Sequence, residues 1–349
     1  MATVGIIGVN GRFGRWFEDF FKARGDTVIG SDLETKVTNI DVMEKAEVVL
    51  FCVPISKMKE VIGECQPFSR DGQLCMDITS VKLMPTEAFR DYRSQVVSLH
   101  PMCSPTTQTL RGQTLCVDVL SLNKHRDWLD RLFADLSVVV KETTADDHDR
   151  HMAVVQGLPH ASVLAMARVM REYGIDVAES KGYTSPFYLI AMSLMGRILN
   201  QDPNLYFDIQ VENPYVVDYL RKLIRILNEA VETIETKDRG RFVEEFLKSK
   251  RHFGDETEAA SLLFNALIRL RADLSGPHVL KLSFEGDKPG VLNQITQILA
   301  KDKINMTSIH SWKSGDHFGF EIGFEVPIEA PQVRKVVKEI LKVPSAKIV

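Results

Sequence analysis

Through the first 145 residues, short apolar runs alternate with stretches in which apolar positions recur every three or four residues. The runs at 4–7, 27–30, 48–53, 74–78, 96–99, 114–117 and 137–140 read as strands, and intervening segments such as 15–24 and 124–136 read as helices. That alternation predicts an α/β fold, a doubly wound parallel sheet with helices on both faces. From 146 to 275 the period changes. Leu189, Met192, Met195 and Leu199 share one helical face, strand-like runs nearly vanish, and Thr184-Ser185-Pro186 and Asp202-Pro203 punctuate long helices. An all-helical block with so many apolar faces to cover predicts a homodimer formed through this region. Ser275-Gly276-Pro277 reads as a linker. Beyond it come a strand at 279–284, a helix at 291–300, strands at 306–312 and 319–326, a helix at 332–341 and a last strand at 346–349. This βαββαβ order describes a small α+β module. Three domains are therefore expected, at 1–145, 146–275 and 277–349.

Composition narrows the class. A chain of 349 residues exceeds one ordinary core, in keeping with several domains. A formal net charge of -4 offers no basic surface to nucleic acid or an anionic membrane. No apolar stretch approaches the roughly 20 residues of a membrane span. The opening MATVGIIGVNG runs from apolar residues straight into glycines, which reads as a first strand rather than a secretory leader. The cysteines, Cys52, Cys65, Cys75, Cys103 and Cys116, are odd in number and lack metal-ligand spacing. A reducing cytoplasm with no disulfide framework and no metal site is expected, with Cys52 and Cys75 buried in strands.

Gly8-Val9-Asn10-Gly11-Arg12-Phe13-Gly14 follows the first strand and opens a helix. A dinucleotide pyrophosphate needs backbone N–H groups and a helix N-terminus brought close, so side chains there must be absent. Gly11 and Gly14 fit the last two glycines of the G-x-G-x-x-G pattern, while Val9 occupies the first and Gly8 precedes it. Asp32 ends the next strand, where an acid accepts hydrogen bonds from the adenosine ribose and repels a 2′-phosphate. This context marks the sheet as Rossmann-like and NAD, rather than NADP, as the cofactor, with Gly8, Asn10, Gly11, Arg12, Phe13, Gly14 and Asp32 as binding candidates. The bland alternative is a helix-initiating loop with a solvated Asp32, and Arg12 reads equally as a pyrophosphate partner or a surface residue.

Two further segments follow strands, Asp77-Ile78-Thr79-Ser80-Val81-Lys82 and Leu99-His100-Pro101-Met102-Cys103-Ser104-Pro105. Doubly wound sheets place ligands at the carboxyl ends of their strands, so Ser80 and His100 aim at the crevice where a nicotinamide would lie. A lone histidine at a strand exit is usually a turn residue; beside a cofactor cleft the catalytic reading is the better one.

These residues carry a family resemblance. Over its first 275 residues the chain resembles prephenate dehydrogenases: Gly8–Gly14, Ser80-Val81-Lys82, His100-Pro101-Met102, His148-Asp149, His160, Ser185-Pro186-Phe187-Tyr188, Met195-Gly196-Arg197 and Gln201-Asp202-Pro203-Asn204-Leu205-Tyr206 follow in the family's order. The resemblance implies NAD-dependent oxidative decarboxylation of prephenate to 4-hydroxyphenylpyruvate, in tyrosine biosynthesis. It implies that His100 takes the proton of the ring 4-hydroxyl, that Ser80 helps orient that hydroxyl, His100 or the nicotinamide, and that Arg197 holds the ring carboxylate. His160 would sit near the side-chain end of the substrate. Arg197 follows a glycine on an otherwise apolar helix face and is expected to be partly buried, unlike Arg168, Arg171, Arg221 and Arg225, which read as surface ion pairs. His148, beside Asp146, Asp147 and Asp149, fits a helix-capping cluster as well as a site, and His151 has no assigned role. The chain departs from the family's pattern at Cys103-Ser104, which changes the loop after His100, and at Leu189, where some relatives place a second arginine. Thr106 stands where an acidic residue tends to mark arogenate preference, which tilts the reading toward prephenate. Some relatives carry a fused chorismate mutase; with the glycine turn beginning at Gly8, none is expected upstream.

Asp287-Lys288-Pro289-Gly290-Val291-Leu292 and Ile304-Asn305-Met306 resemble the ACT family of amino-acid-binding regulatory domains over residues 277–349. The resemblance implies an effector held by Asp287, Gly290, Val291, Leu292 and Asn305, with tyrosine as the end-product inhibitor; a module that only dimerises is the alternative. Other readings remain open. One is a dehydrogenase of arogenate or 4-amino-4-deoxyprephenate. Another is a β-hydroxyacid dehydrogenase, whose usual catalytic lysine is replaced here by histidine and arginine. The third is a non-catalytic sensor of NAD and an amino acid, which would need no proton acceptor.

Overall fold

The structure, a computed structural model, describes all residues except 105, 106, 108, 275, 287, 315 and 316. Ser275 of the expected linker thus lies outside the described residues. Contacts divide the chain into two compact units, Met1–Glu232 and Thr233–Val349.

The first unit is built on β1 (Thr3–Ile7), β2 (Thr27–Ser31), β3 (Val48–Phe51), β4 (Leu74–Asp77), β5 (Gln95–Pro101), β6 (Thr114–Ser121) and β7 (Val139–Glu142), in the spatial order β2-β1-β3-β4-β5-β6-β7. The connecting helices are α1 (Arg12–Arg24), α2 (Asn39–Lys45), α3 (Ile55–Cys65), α4 (Leu83–Ala88) and α5 (Arg126–Leu136). The chain leaves β1 for β2 on one side and returns to β3 on the other, so the carboxyl ends of β1 and β3 flank a topological switch point.

One strand departs from the all-parallel expectation: β5 and β6 pair antiparallel. Residues 102–113 between them hold no helix among those described. A parallel return needs a crossover, usually helical, and a connection without one brings the chain back antiparallel. The α5 crossover then restores a parallel β6–β7 pair.

The central strands are fully buried, and their residues alternate between two cores. Val4, Ile6, Val48, Leu50, Met76 and Leu99 pack against Phe17, Phe21 and Trp128 of α1 and α5. Ile7, Val49, Phe51 and Cys75 face Met43, Met58, Ile62 and Phe89. Cysteines at 52, 65, 75, 103 and 116 are all free; Cys75 is buried as expected, and Cys52, just past the end of β3, is half-buried. Helical geometry takes over at α6 (Ala145–Met152), which runs through a π-turn at Ala153–Gly157 into α7 (Leu158–Glu172). It continues in α8 (Val177–Ser180), α9 (Pro186–Leu199), α10 (Pro203–Glu212) and α11 (Val216–Glu235). Unlike the sheet, this region leaves much apolar surface uncovered, including Phe187, Leu194 and Leu199 on α9 and Val217, Ile224, Leu227 and Val231 on α11.

The second unit contains α12 (Arg239–Phe253), α13 (Glu256–Leu274), β8 (Val279–Glu285), α14 (Val291–Lys301), β9 (Met306–Ser314), β10 (His317–Phe324), α15 (Pro331–Ile340) and β11 (Lys347–Ile348). Its strands form an antiparallel sheet in the order β11-β8-β10-β9, the expected βαββαβ module. Leu282, Phe284, Phe320 and Ile322 pack with Ile295, Val336 and Ile340 of α14 and α15. No described helix is long and apolar enough to cross a membrane.

Phe21 joins α1 to α5: it is fully buried, with its ring centroid 5.9 Å from Phe17 and 6.2 Å from Trp128. Phe21→Ala should cost about 3–5 kcal/mol. In thermal unfolding that appears as a fall of roughly 10 °C in the melting temperature of the first unit. A change below about 3 °C would show that the α1–α5 packing adds little to this core.

Candidate active site

The glycine turn is built at the switch point. Gly8, at φ +89, and Val9 donate their amides to the Ser31 carbonyl at 2.8 and 3.1 Å, which clamps the turn to the end of β2. A Cβ on Gly14 would stand 2.1 Å from the Gly8 carbonyl oxygen and 2.8 Å from the Val9 Cα, both backbone atoms, so no larger residue fits. Gly11 is the N-cap of α1 and supplies no side-chain cap, and the first turn holds no acidic residue. That helix end is therefore left with free donors and positive dipole character. Asp32 sits beside it: one carboxylate oxygen accepts the Asn10 amide at 2.9 Å and the other accepts the Leu33 amide at 2.8 Å. Bare N–H groups, a closely packed glycine and an acid at the end of β2 fit a dinucleotide with a free ribose 2′-hydroxyl. Phe13 is half-buried against the sheet core and acts in packing. Arg12 is exposed and points its guanidinium at Gln201 between α9 and α10, 3.4 Å away.

His100 lies at the end of β5 and is buried. Its Nδ1 is 2.9 Å from Nε2 of His148, and His148 Nδ1 is 2.8 Å from Asp149 Oδ1. Asp149 also accepts the Lys82 amide at 2.8 Å and the Leu83 amide at 2.9 Å, while its own carbonyl accepts from Asn213. Beneath these groups, the Lys82 ammonium is 1% exposed. It donates to Asp77 Oδ1 at 2.5 Å, Ser98 Oγ at 2.9 Å and the Leu99 carbonyl at 2.6 Å. Burial pulls this ammonium below its ordinary pKa, against the opposing charge and hydrogen bond of Asp77. Burial, before any neighbouring charge, holds the His100 imidazole well below its ordinary 6.5.

Several expected site residues converge here. Ser80 is half-buried at the tip of the turn after β4, held between Asp77 and the Val81 carbonyl by Thr79, whose hydroxyl lies 2.5 and 2.7 Å from them. The Gln156 side-chain nitrogen is 3.5 Å from His100 Nε2. One helical turn further on, His160 has its ring centroid 4.8 Å from that of Tyr206. Burial lowers the His160 pKa, and its Nδ1 has no hydrogen-bond partner among the described residues. Burial raises the Tyr206 phenol, with the nearby Arg197 guanidinium pulling the other way. His100 is thus joined to Gln156, and His160 to Tyr206, with the Arg197 guanidinium close enough to act on the Tyr206 phenol.

Other expectations change. Arg197 is exposed rather than partly buried, because no described residue of the first unit covers that face of α9. Arg168, Arg171, Arg221 and Arg225 are exposed in ion pairs along their own helices, as expected. His148 is not a capping residue: Thr144 caps α6 by accepting the Asp147 amide, and His148 turns inward to His100. His151 is exposed against the Asp147 carbonyl. Thr106 lies outside the described residues. Sequence reasoning missed Lys82, Asp149 and Gln156 as parts of the site; only the strand-exit position of Lys82 and the adjacency of Asp149 to His148 hinted at them.

In the second unit, Gly290 takes φ +92 as the N-cap of α14. Asn305 is exposed before β9, and Leu292 is exposed on the first turn of α14. The Val291 side chain is part of the module's core, so only its backbone remains for a ligand. Asp287 lies outside the described residues.

Three family descriptions match successive segments of the chain. These are the prephenate dehydrogenase nucleotide-binding domain over 23–114, the prephenate dehydrogenase dimerization domain over 144–248 and the ACT domain over 278–345. A "Probable arogenate/prephenate dehydrogenase" of Methanocaldococcus jannaschii is 32% identical over 276 residues, and the match spans 73% of this chain and 62% of that relative. The "T-protein" of Haemophilus influenzae is 27% identical over 254 residues, 72% of this chain and 67% of its own length. A solved structure of prephenate dehydrogenase from A. aeolicus, in complex with hydroxyphenyl propionate and NAD+, has a TM-score of 0.59 at 20% identity, covering 72% of this chain and 97% of that one. That last likeness concerns the fold. On these segments, the chain belongs to the prephenate dehydrogenase family and carries a C-terminal ACT domain.

Proposed function

We propose that the chain catalyses the NAD-dependent oxidative decarboxylation of prephenate to 4-hydroxyphenylpyruvate. The observation that carries this reading is the buried His100 imidazole, bound through Nδ1 to His148, with Nε2 left toward the helices that bear Gln156 and His160. NAD, held at the Gly8–Gly14 turn with its ribose on Asp32, supplies the two-electron acceptor. His100 accepts the proton of the ring 4-hydroxyl, Ser80 orients that hydroxyl from the neighbouring strand exit, and burial keeps the imidazole neutral for the task. Arg197 offers the ring carboxylate a bidentate fork until carbon dioxide departs. His160 lines the rest of the substrate site. Arogenate is the second reading, favoured by the double name of the M. jannaschii relative.

The exposed positions Val217, Ile224, Leu227 and Val231 recur along α11 at intervals of seven, three and four, the spacing of a helix–helix seam. Together with the dimerization-domain match, they support a homodimer formed through the helical region. Tyrosine is proposed as the effector of the ACT module, bound by the α14 N-terminus at Gly290, Val291 and Leu292 and by Asn305. The cytoplasm is the proposed compartment.

Reduced nicotinamide should accumulate when the chain is given NAD and prephenate, with kcat/KM higher for prephenate than for arogenate and for NAD than for NADP. His100→Asn should lower kcat by roughly 10²–10⁴-fold, whereas Arg197→Ala should act mainly on the prephenate KM. Near-normal kinetics in both variants would remove the assignment. The pH profile has a defined sign. The base works unprotonated and its pKa lies below 6.5, so kcat/KM should stay level from about pH 7.5 to 6.5 and fall only at lower pH. An acid limb centred at or above that ordinary value would contradict the buried, neutral imidazole. Sedimentation should give twice the chain mass, and millimolar tyrosine should slow turnover; a monomer, or indifference to tyrosine, would refute the respective claim.

A further inference from the structure

We infer that Asp149 and His148 are positioning residues that fix the tautomer of His100, so that its Nε2 is bare and faces the substrate hydroxyl. The inference rests on the proposed reaction and adds the device that makes one ring nitrogen, and not the other, the proton acceptor.

The proton positions follow from the partners. The Asp149 carboxylate is fully buried, and both its oxygens are already occupied by backbone amides, those of Lys82 and Leu83. An ionised carboxylate only accepts, so the contact at 2.8 Å requires a proton on His148 Nδ1. With one ring proton, placed on Nδ1 by the carboxylate, His148 presents a lone pair at Nε2; this singly protonated ring is the premise of the inference. That lone pair, 2.9 Å from His100 Nδ1, requires the His100 proton on Nδ1. The remaining nitrogen of His100, Nε2, is left as an acceptor. Gln156 agrees with this, because the atom facing Nε2 at 3.5 Å is its amide nitrogen, a donor. Each link removes one of two tautomers, so a charge at Asp149 decides the state of an atom two rings away.

The same chain serves the reaction after proton transfer. When the O–H bond of the substrate breaks and an N–H bond forms at Nε2, His100 becomes an imidazolium. Its Nδ1 proton then points at a His148 ring whose far side faces a carboxylate, an arrangement that stabilises the imidazolium without moving a second proton. Because Asp149 also holds the first residues of α4, the Ser80 turn and the His100 ring are referenced to one buried anion. A purely structural Asp149 would need the two amides alone; the additional bond to a histidine whose other nitrogen reaches the proposed base is what separates the two roles.

Long-range proton–nitrogen NMR spectra of the histidine-labelled full chain read the protonation of each ring nitrogen directly. The wild type should show His100 protonated at Nδ1 and bare at Nε2. His148→Phe should lose that preference and lower kcat by roughly 10–1000-fold, with the prephenate KM changed by less than about threefold. Asp149→Asn should shift the His100 proton toward Nε2 with a similar loss of kcat. If that variant does not fold, the wild-type spectrum and His148→Phe decide. A wild-type His100 protonated at Nε2, or His148→Phe with kcat within about twofold of wild type, overturns the inference. Should the wild type leave prephenate unoxidised while its spectrum is as expected, the proposed reaction fails and the tautomer assignment stands.

Discussion

The ammonium of Lys82 is the point from which the active-site geometry is set. It is enclosed at the ends of two adjacent strands and reaches Asp77 on β4 and Ser98 and the Leu99 carbonyl on β5. Its own backbone amide is held by Asp149 from α6. A buried ion pair of this kind adds little net stability over an apolar replacement, since desolvating two charges offsets most of their attraction. Leaving one partner alone costs about 3–5 kcal/mol. The consequence is geometric. Three donors on one nitrogen have fixed directions, so β4 and β5 cannot slide relative to each other without stranding a charge. Ser80 leaves one of these strands and His100 the other. Their separation is therefore tied to a buried charge contact that is costly to disturb.

The glycine turn depends on the same sheet through a different constraint. Its shape is set by sterics: Gly14 leaves no space for a side chain against Gly8 and Val9, while Ser31 and Asp32 hold the turn from β2. The proposed cofactor site and the proposed base are thus positioned by opposite means, one by the absence of atoms and the other by satisfied buried charges. Both stand at carboxyl ends of parallel strands, where the switch between β1 and β3 opens the sheet.

How legible this was in the sequence follows from how local each feature is. The turn from Gly8 to Gly14, the strand exit at His100 and the βαββαβ order are short-range patterns, and periodicity with turn chemistry reveals them. Strand direction is not encoded in periodicity, which is why β6 looked like one more parallel strand. Lysine reads as a surface residue in any local window; besides Asp77 and Thr79 nearby, the acceptors that bury Lys82 lie 16 and 17 positions away, on the next strand. His148, among three aspartates, imitated a helix cap until Thr144 proved to hold that position. Arg197 failed in the other direction. An apolar helix face signals that something covers it, and sequence cannot tell whether the cover comes from the same chain.

That last ambiguity has a physical meaning for the site. Its proton acceptor is locked into a rigid sheet, where small displacements are resisted by buried charge. The proposed carboxylate-holding residue stands instead on α9, among exposed Phe187, Leu194 and Leu199, in a region whose apolar surface this chain leaves open. An exposed guanidinium loses much of its attraction for an anion to solvent, so Arg197 gains strength as a carboxylate holder only once that surface is covered and water is excluded. On the proposed roles, chemistry and recognition are then under separate control: the proposed base is held within the sheet of one chain, whereas the proposed grip on the substrate anion depends on what packs against the helices. Assembly in such an arrangement would alter substrate affinity while leaving the proton-transfer geometry unchanged.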